Sequence, residues 1–393
     1  MSVVYLDNNA TTRVADEVRE VMLPYLSDLY GNPSSMHTFG GQVHRAIEKA
    51  REHIALLIHA EPEEIVFTSC GTESDNSAII SALHSTPDKR HVITTRVEHP
   101  AVLNCCKTLA RRGYRITFLP VDKLGRLNMD VLHSSLSDDT AVVSVMYANN
   151  ESGVLFPVEE IASLARSAGA IFHTDAVQAA GKLPVNVKEF PVDMMSLSGH
   201  KMHAAKGVGA LYIKRGTRFS PYIIGGHQEK GRRGGTENVA SIIGFGKAAE
   251  IARQHLEADH SRVRVLRDRL EEGLLVTCPG AMVNGDRNNR LPNTLNISFE
   301  YVEGEAILLR LNEFSICASS GSACTSGSLE PSHVLRAMGV PFTAIHGSVR
   351  FSLSRYTNDD DVDAVLQTMP GIIKELRELS PYGREAGKMQ NLS

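Results

Sequence analysis

Several features are scarce or absent in this chain of 393 residues, and each absence narrows what the protein can be. No apolar run reaches the length of a membrane-spanning helix, and the first residues lack the basic and apolar regions of a signal peptide. Positive charge is not in excess, since 41 basic residues stand against 45 acidic ones. Neither nucleic acid nor a membrane is therefore expected as a partner, and we expect a cytoplasmic protein.

Cysteine is sparse and scattered. No C-x-x-C pair occurs, so neither a zinc site nor a disulfide framework is indicated, and no intrinsic metal site is predicted. In a reducing compartment most of these cysteines are expected to be small buried side chains, with one of them reactive. The cysteines are Cys70, Cys105, Cys106, Cys278, Cys317 and Cys324.

What is present is a regular alternation of apolar strands and amphipathic helices between about residues 65 and 213. This alternation predicts an α/β fold with a mostly parallel sheet. In such sheets the functional loops follow the carboxyl ends of the strands. Each cluster of polar residues in this part of the chain falls at such an end, which predicts an active site there.

The pattern changes after about residue 255, where a charged helix, isolated strands and a Ser/Gly-rich loop predict a smaller α+β domain. We therefore predict a large domain over residues 13–255 and a small C-terminal domain over residues 256–393. Residues 7–12 are too polar for a core strand. We predict that residues 1–12 form an ordered arm that joins the small domain.

The most informative stretch runs from Met195 to Lys201, between apolar segments at 192–197 and 208–213. A lysine between buried strands is unusual, because lysine is rarely buried without a partner. One chemistry suits it, which is a desolvated amine that forms a Schiff base with a carbonyl, above all that of pyridoxal phosphate. A surface hairpin with an exposed lysine is the simpler alternative, and the Ser-x-His-Lys pattern alone favours it.

Other strand ends carry residues that such a cofactor needs. Asp175 follows an apolar strand and could pair with the pyridine nitrogen, although an Asp there is more often a turn or helix cap. Gly71 and Thr72 open a helix after a strand, which offers N–H groups to a phosphate or simply caps the helix. Ser198 and His200 are further phosphate donors beside Lys201. His99 could stack on the ring and transfer protons, or be a hydrogen-bonded structural histidine.

A set of motifs covers nearly the whole chain: YLDNNATT (5–12), GNPSS (31–35), TESDN (72–76), EH (98–99), NNE (149–151), DAVQ (175–178), SGHK (198–201), RGGT (233–236) and SSGSAC (319–324). With these motifs the sequence resembles the class V aminotransferase superfamily of fold-type I pyridoxal phosphate enzymes. Within it the likeness is to group I cysteine desulfurases of the NifS/IscS type, notably the nitrogen-fixation branch. The resemblance implies a large domain with a mostly parallel seven-stranded sheet and a smaller α+β domain.

The resemblance also implies a role for each candidate residue. Lys201 would be the Schiff-base lysine, Asp175 the partner of the ring nitrogen, Gln178 a ligand of the ring 3-oxygen, and His99 the stacked proton carrier. The phosphate would be held by Gly71, Thr72, Ser198 and His200, joined by Thr236 from the second subunit of a homodimer. Asn150 would contact cofactor and substrate, and Arg350 would bind the substrate carboxylate with both guanidinium nitrogens.

Cys324 indicates which reaction is catalysed. Its neighbours from 319 to 328 are almost all Ser, Gly, Ala or Thr, a composition that allows a loop to move and leaves a thiol accessible. The composition is equally compatible with an incidental cysteine in a linker. By the resemblance, Cys324 would take sulfur from L-cysteine as a persulfide and release L-alanine. It would then pass the sulfur to an iron–sulfur scaffold protein, contacting the cluster during transfer, in nitrogenase maturation or general cluster assembly.

Three alternatives compete with this prediction. Another class V reaction is one, but transamination needs no thiol, whereas selenocysteine lysis could use the same site. A catalytically silent sulfur-carrying scaffold on the same fold is the second. The retained set of Lys201, Asp175, His99, Cys324 and Arg350 argues against it. A metal site on His200 and His203 is the third, and their spacing does not match helical metal ligands.

Overall fold

The structure is a computed structural model that describes residues 3–320 and 330–380. A seven-stranded sheet forms the centre of its larger part. In spatial order the strands are β2 (Ile65–Thr68), β8 (Gly209–Ile213), β7 (Met194–Ser198), β6 (Ile171–Asp175), β5 (Thr140–Ser144), β3 (His91–Thr95) and β4 (Arg115–Leu119). Only β8 runs antiparallel to its neighbours in this sheet. The predicted α/β fold with a mostly parallel seven-stranded sheet is confirmed.

Both faces of this sheet are buried, which is why its strands read as apolar runs rather than as alternating patterns. Successive side chains point to opposite faces. In β2, for example, Ile65 and Phe67 join one core cluster and Val66 joins another. The helices of this part are α1 (Asp16–Met22), α2 (Pro24–Ser27), α3 (Thr38–Leu57), α4 (Gly71–Ser85), α5 (Pro100–Arg111), α6 (Met129–Ser135) and α7 (Val158–Ser167).

A single helix of 39 residues, α8 (Val239–Thr277), connects this part to the next. Its first half, up to Ile251, packs in the core of the seven-stranded sheet. Its second half, from Val263, packs in a separate core. The predicted domain boundary at 255/256 falls inside this helix, and the charged helix predicted after about residue 255 is its second half. The chain thus passes between the two cores within one helix, because no Gly or Pro interrupts residues 247–272.

The smaller part is built on an antiparallel sheet with the strand order β12 (Ser348–Ser352), β10 (Thr294–Phe299), β9 (Ala281–Val283). Its core lies between that sheet and the second half of α8. The last helix begins at a capping box, in which Asn358 and Asp361 bond each other's backbone N–H. The helices of this part are α9 (Gly304–Glu313), α10 (His333–Ala337), α11 (Phe342–Ile345) and α12 (Asp359–Leu379). Of these, α10 and α11 pack Val334, Leu335 and Ile345 into the core of the seven-stranded sheet.

The N-terminal arm runs from the smaller part to the larger. Strand β1 (Val4–Tyr5) pairs in parallel with β11 (Ile316–Cys317), and Asp7 forms a bridge with Ser352 at the end of β12. The arm then reaches the turn after β7, where the Thr12 N–H donates to the carbonyl of His200 at 3.0 Å. Within residues 3–320 and 330–380, none of the helices has both the length and the apolar character needed to span a membrane.

Candidate active site

A cavity of about 370 Å³ opens where the parallel strands end. It is lined by residues that follow β2, β3, β5, β6 and β7, because the carboxyl ends of parallel strands meet at one edge of a sheet. The predicted site residues on its wall are Gly71, Thr72, His99, Asn150, Asp175, Gln178, Ser198, His200, Lys201 and Arg350. Thr236 is exposed and does not line this cavity, and Cys324 lies outside the described residues.

Lys201 ends the short helical turn that follows β7. Its Nζ donates to the backbone carbonyls of Asn9 at 2.6 Å and Ala10 at 2.7 Å, so the N-terminal arm covers it. The alternative of a surface hairpin with an exposed lysine is wrong, because Lys201 is partly buried and both flanking strands lie inside the sheet. The amine therefore lies at the cavity wall with its orientation set by two acceptors.

Asp175 ends β6 and is 7% exposed, with one carboxylate oxygen accepting from the Val177 N–H at 2.9 Å. Burial raises the pKa of Asp175 to about 6, although the Val177 N–H and the charge of Lys201 act in the opposite direction. A second acid, Asp75, is 1% exposed and lines the same cavity. Burial and the charge of Asp175 raise the pKa of Asp75 well above its usual value.

A buried histidine lies behind these acids. The Nε2 of His173 is 3.7 Å from Asp75 Oδ1, and the ring bridges the hydroxyls of Ser144 and Ser196, each at 2.9 Å. Burial lowers the pKa of His173 to about 3, so its ring is neutral at neutral pH. The Oδ1 of Asp75 has no hydrogen-bond partner within the described parts of the chain. This acceptor is thus buried at the cavity and unsatisfied.

The part of the cavity wall at the start of α4 can hold an anion. Helix α4 has 15 residues and begins at Gly71, so its first N–H groups and the positive end of its dipole lie at the cavity. A Cβ on Gly71 would come within 2.8 Å of Val177 Cγ2, so a side chain there would meet that wall. Ser198 Oγ, on a residue 2% exposed, has no hydrogen-bond partner among residues 3–320 and 330–380.

The two histidines of the site are neutral at neutral pH. His99 caps α5, where its Nδ1 accepts from the Ala101 N–H at 3.2 Å, which leaves the proton on Nε2. Burial, followed by the charges of Lys201 and His333, lowers the pKa of His99 to about 4. Burial and Lys201 likewise lower the pKa of His200 to about 4, and its Nδ1 lies 3.1 Å from Thr11 Oγ1.

Two predicted ligands already have partners. The Gln178 amide donates through Nε2 to the carbonyl of Asn9 at 3.0 Å and accepts at Oε1 from Lys182 Nζ at 2.6 Å. Arg350 is 3% exposed, and its Nη2 forms an ion pair with Asp7 at 2.8 Å. Its Nη1 donates to the carbonyl of Asn150 at 3.0 Å. A substrate carboxylate at Arg350 would therefore share the guanidinium with Asp7.

The described chain on both sides of residues 321–329 is held beside the cavity. On the N-terminal side of these residues, Ser319 exchanges two backbone hydrogen bonds with Arg350. After it, Ser332 Oγ donates to Glu151, and His333 Nε2 lies 2.9 Å from the carbonyl of Glu98. Both ends of the segment that contains Cys324 thus lie beside residues at the cavity.

Sequence reasoning missed Asn9, Asp75, Asp7 and Lys182 as residues of this site. Asp75 could have been found, because it lies one helical turn after Gly71 and so faces the same side of α4. Lys182 offers no such signal, because residues 178–182 lie outside any helix. The contacts of Asn9 and Asp7 depend on chain packing across large sequence separations, such as the 192 residues between Asn9 and Lys201. No local pattern reveals such contacts.

Comparison with known proteins gives the family. Residues 4–365 match the family model described as aminotransferase class-V. The chain belongs to the class-V aminotransferase family. Among solved structures of this family's fold, one titled NifS-like protein has a TM-score of 0.90 and 38% sequence identity, covering 95% of this chain and 100% of its own.

Relatives within class V are similar over almost the whole chain. A cysteine desulfurase of Trichormus azollae is 61% identical over 391 residues, which is 99% of this chain and 98% of the relative. Cysteine desulfurase NifS of Azotobacter vinelandii is 60% identical over 392 residues, or 100% and 98%. The predicted likeness to cysteine desulfurases of the NifS type is confirmed, as is the prediction that the chain is an enzyme of this class.

Proposed function

We propose that this class-V enzyme binds pyridoxal phosphate and desulfurates L-cysteine, releasing L-alanine and leaving the sulfur on Cys324 as a persulfide. The observation that carries the proposal is one cavity lined by Lys201, the buried acid Asp175 and the start of helix α4. The 60–61% identity to cysteine desulfurases supports the choice of substrate.

The residues present fit the cofactor on two counts. The hydroxyl of Ser198, without a partner in the described chain, and the N–H groups at Gly71 form a cradle for a phosphate, to which Thr72 and His200 would add donors. The buried Asp175 offers a carboxylate for a protonated ring nitrogen, and Lys201 offers an amine for the carbonyl. When bound, pyridoxal phosphate supplies an electron sink for the electron pair left when a proton leaves the Cα of an amino acid.

The chain's own residues bind the substrate and move its proton. Arg350 holds the carboxylate of L-cysteine through its guanidinium, with Asn150 beside it. Lys201 takes the Cα proton at Nζ and returns a proton as alanine forms. His99 is neutral and carries its proton on Nε2, so it donates a hydrogen bond into the cavity rather than a charge.

Cys324 completes the reaction. Its thiolate attacks the sulfur of the substrate, so that an S–S bond forms while the Cβ–S bond breaks. The electron pair of the broken bond remains with the carbon fragment, which leaves as L-alanine after protonation. An iron–sulfur scaffold protein of the cytoplasm then accepts the persulfide sulfur, in nitrogenase maturation as the likeness to NifS suggests. The working form is a homodimer in which Thr236 of each subunit serves the phosphate site of the other.

An absorption spectrum of the purified protein, followed by anaerobic addition of L-cysteine, tests the cofactor and the reaction together. We expect a visible cofactor band that shifts with cysteine, and one alanine for each sulfide released by reductant. A chain that stays colourless after addition of pyridoxal phosphate would overturn the proposal. Selenocysteine offered in place of cysteine distinguishes the lyase alternative, which predicts a preference for selenium.

Cys324→Ala separates the thiol from the cofactor. We expect this variant to keep the visible band and its change with cysteine, and to lose persulfide, because no thiolate remains to attack the sulfur. Lys201→Ala is the comparison variant, which we expect to lose both the visible band and turnover, since it lacks the amine that would hold the cofactor and move the proton. Persulfide formation by Cys324→Ala at the wild-type rate would remove this residue from the mechanism and favour a different acceptor.

A further inference from the structure

Asn9 contacts both parts of the chain at the cavity, and none of the proposed roles uses it. Its side-chain Nδ2 donates to Thr294 Oγ1 at 2.8 Å and to the carbonyl of Asn150 at 3.2 Å. Its Oδ1 accepts from Lys182 Nζ at 3.2 Å and from Asn293 Nδ2 at 3.1 Å. Because Asn9 is 2% exposed, these four contacts fix the arm in a site where water does not compete.

The backbone at Asn9 faces Lys201. The carbonyl of Asn9 accepts from Lys201 Nζ at 2.6 Å, and the next carbonyl, of Ala10, accepts from the same nitrogen at 2.7 Å. A carbonyl accepts hydrogen bonds and cannot donate them, whereas an ammonium group has three donors and no acceptor. A neutral amine could donate to both carbonyls as well, but a charged donor forms stronger hydrogen bonds. The two carbonyls therefore favour the ammonium over the neutral amine, and they fix where it lies.

We propose that Asn9 is a positioning residue, which holds the arm so that the carbonyls of Asn9 and Ala10 bind Lys201 as an ammonium whenever its nitrogen is not bonded to the cofactor. The inference rests on the proposed function, in which Lys201 takes up the Cα proton of the substrate. The two carbonyls stabilise the lysine in the state that follows this transfer. They also return Nζ to one place after each release.

Other ionisable groups interact electrostatically with Lys201. They are Asp175 at the end of β6, Lys182 in the loop after β6, His200 in the turn after β7 and His99 at the start of α5. Asp175 is ionised at neutral pH, since its pKa is about 6. His99 and His200 are neutral, because their pKa values are about 4. Burial lowers the pKa of Lys182 well below its usual value. Of these groups, only Lys182 bonds the Asn9 side chain.

The test measures how fast Lys201 reacts with an amine-acylating reagent in the full-length chain stripped of cofactor. Reaction is followed against pH by mass spectrometry of the peptide that contains Lys201. We expect Asn9→Ala to move the rate profile to lower pH, with acylation about tenfold faster at a fixed pH, because a neutral amine reacts and a charge-assisted hydrogen bond is lost. A purely structural loss would not move a pH profile in this direction.

Asn8→Ala is the matched control. Asn8 is the neighbouring residue, 3% exposed, and its Nδ2 holds the arm through the carbonyl of Ser352 at 2.8 Å. Its side chain bonds the carbonyls of Tyr5 and Ser352, and the carbonyls that accept from Lys201 belong to other residues, so we expect the wild-type profile. Thr294→Val removes one partner of Asn9 and keeps the contact with Lys182. We expect it to shift the profile in the same direction as Asn9→Ala and by less.

An unshifted profile for Asn9→Ala, or an equal shift for Asn8→Ala, would overturn the inference. Should Asn9→Ala not fold, as judged by its thermal transition, the Thr294→Val profile decides by the same criterion. The labelling uses no cofactor, so failure of this inference is distinct from failure of the proposed function. A wild-type chain that does not bind pyridoxal phosphate would remove the function and leave the labelling result readable.

Discussion

Burial shifts the pKa values of ionisable groups in two opposite directions, both at the cavity and elsewhere in the sheet and its loops. Carboxyl groups are shifted upward, with the pKa of Asp175 raised to about 6, that of Glu151 to about 7 and that of Glu98 to about 8. The pKa values of the histidines are lowered, so that their rings are neutral at neutral pH. Their pKa values fall to about 4 for His91, His99, His200 and His203, and to about 3 for His173.

The buried acids and the buried histidines change the pH dependence of stability in opposite directions. An acid with a raised pKa holds a proton in the folded state that the unfolded state has lost, so its effect is to lower stability as pH rises toward the folded pKa. A histidine with a lowered pKa binds its proton only when unfolded, so its effect is to raise stability between about pH 4 and 6.5. At acidic pH the effects of the acids and of the histidines on stability oppose each other. Above about pH 7 the histidine effect has ended, and that of Glu98 remains.

We predict that the cofactor-free protein becomes less stable between pH 7 and 8, and that Glu98→Gln removes about 1 kcal/mol of this loss. Glu98 is fully buried and accepts from the Thr95 hydroxyl at 2.7 Å and the Met146 N–H at 3.1 Å. Glutamine keeps an acceptor oxygen and cannot ionise. Urea unfolding at both pH values measures the difference, with the exposed Glu160→Gln as control. An unchanged pH dependence in Glu98→Gln would contradict the prediction.

Arg350 gives a second prediction at this scale, since it shares its guanidinium between Asp7 and the proposed substrate. Arg350→Lys keeps the charge and loses the planar fork, so we expect KM for L-cysteine to rise about tenfold while the visible cofactor band is unchanged. Asp7→Asn removes the competing carboxylate and should lower KM. If both variants raised KM alike, Arg350 would have a structural role instead of a substrate-binding one.

Among the elements, helix α8 shows which features can be predicted from the sequence and which cannot. Exposed residues such as Arg253, Gln254 and His255 interrupt its apolar face, so the periodic pattern fades there and suggests a domain boundary. The helix nevertheless continues, because these residues are compatible with a helix and no breaker occurs. The sheet was easier to predict, because strands buried on both faces leave apolar runs.

The candidate site likewise contains residues that the sequence predicts and contacts that it does not predict. Residues at strand ends, such as Asp175 and Ser198, follow from the order of elements along the chain. The contacts of the arm with Lys201 do not, because backbone carbonyls leave no mark in a sequence and their position depends on tertiary packing. The same holds for the pairing of Arg350 with Asp7, across 343 residues.

Packing between α3 and α8 depends on one glycine. A Cβ on Gly246 would come within 2.5 Å of the Ala50 backbone, so the two helices touch there without a side chain between them. We predict that Gly246→Ala lowers the free energy of unfolding by about 1–3 kcal/mol, because overpacking exceeds the gain in helix propensity. Denaturant unfolding measures it.

Gly371 in α12 is the matched control for Gly246. A Cβ at Gly371 would meet nothing within 4 Å, so Gly371→Ala should stabilise the protein by about 1 kcal/mol through helix propensity alone. Equal effects of the two substitutions would mean that packing against α3 does not constrain the glycine at 246.

At the scale of the whole molecule, the cavity lies where residues of the larger and the smaller part meet. The residues that would hold the cofactor, among them Gly71, Asp175 and Lys201, follow strands of the seven-stranded sheet. Arg350 instead lies in β12 of the smaller sheet. The two parts are held together by α8, by the arm and by contacts of residues 289–291 and 332–335 with the larger part. The distance between cofactor and substrate carboxylate therefore depends on how rigidly these connections hold.

We predict that breaking α8 between the cores impairs substrate binding more than cofactor binding. Glu257 is exposed and lies between the last residue of the first core, Ile251, and the first of the second, Val263. Glu257→Pro removes a helix hydrogen bond and costs about 3 kcal/mol, whereas Glu257→Ala keeps the helix. For the proline variant we expect KM for L-cysteine to rise, the visible cofactor band to persist, and calorimetry to resolve two transitions where the alanine variant gives one. A proline variant with an unchanged KM would mean that the arm and the contacts of residues 289–291 and 332–335 with the larger part hold Arg350 over the site without a continuous α8.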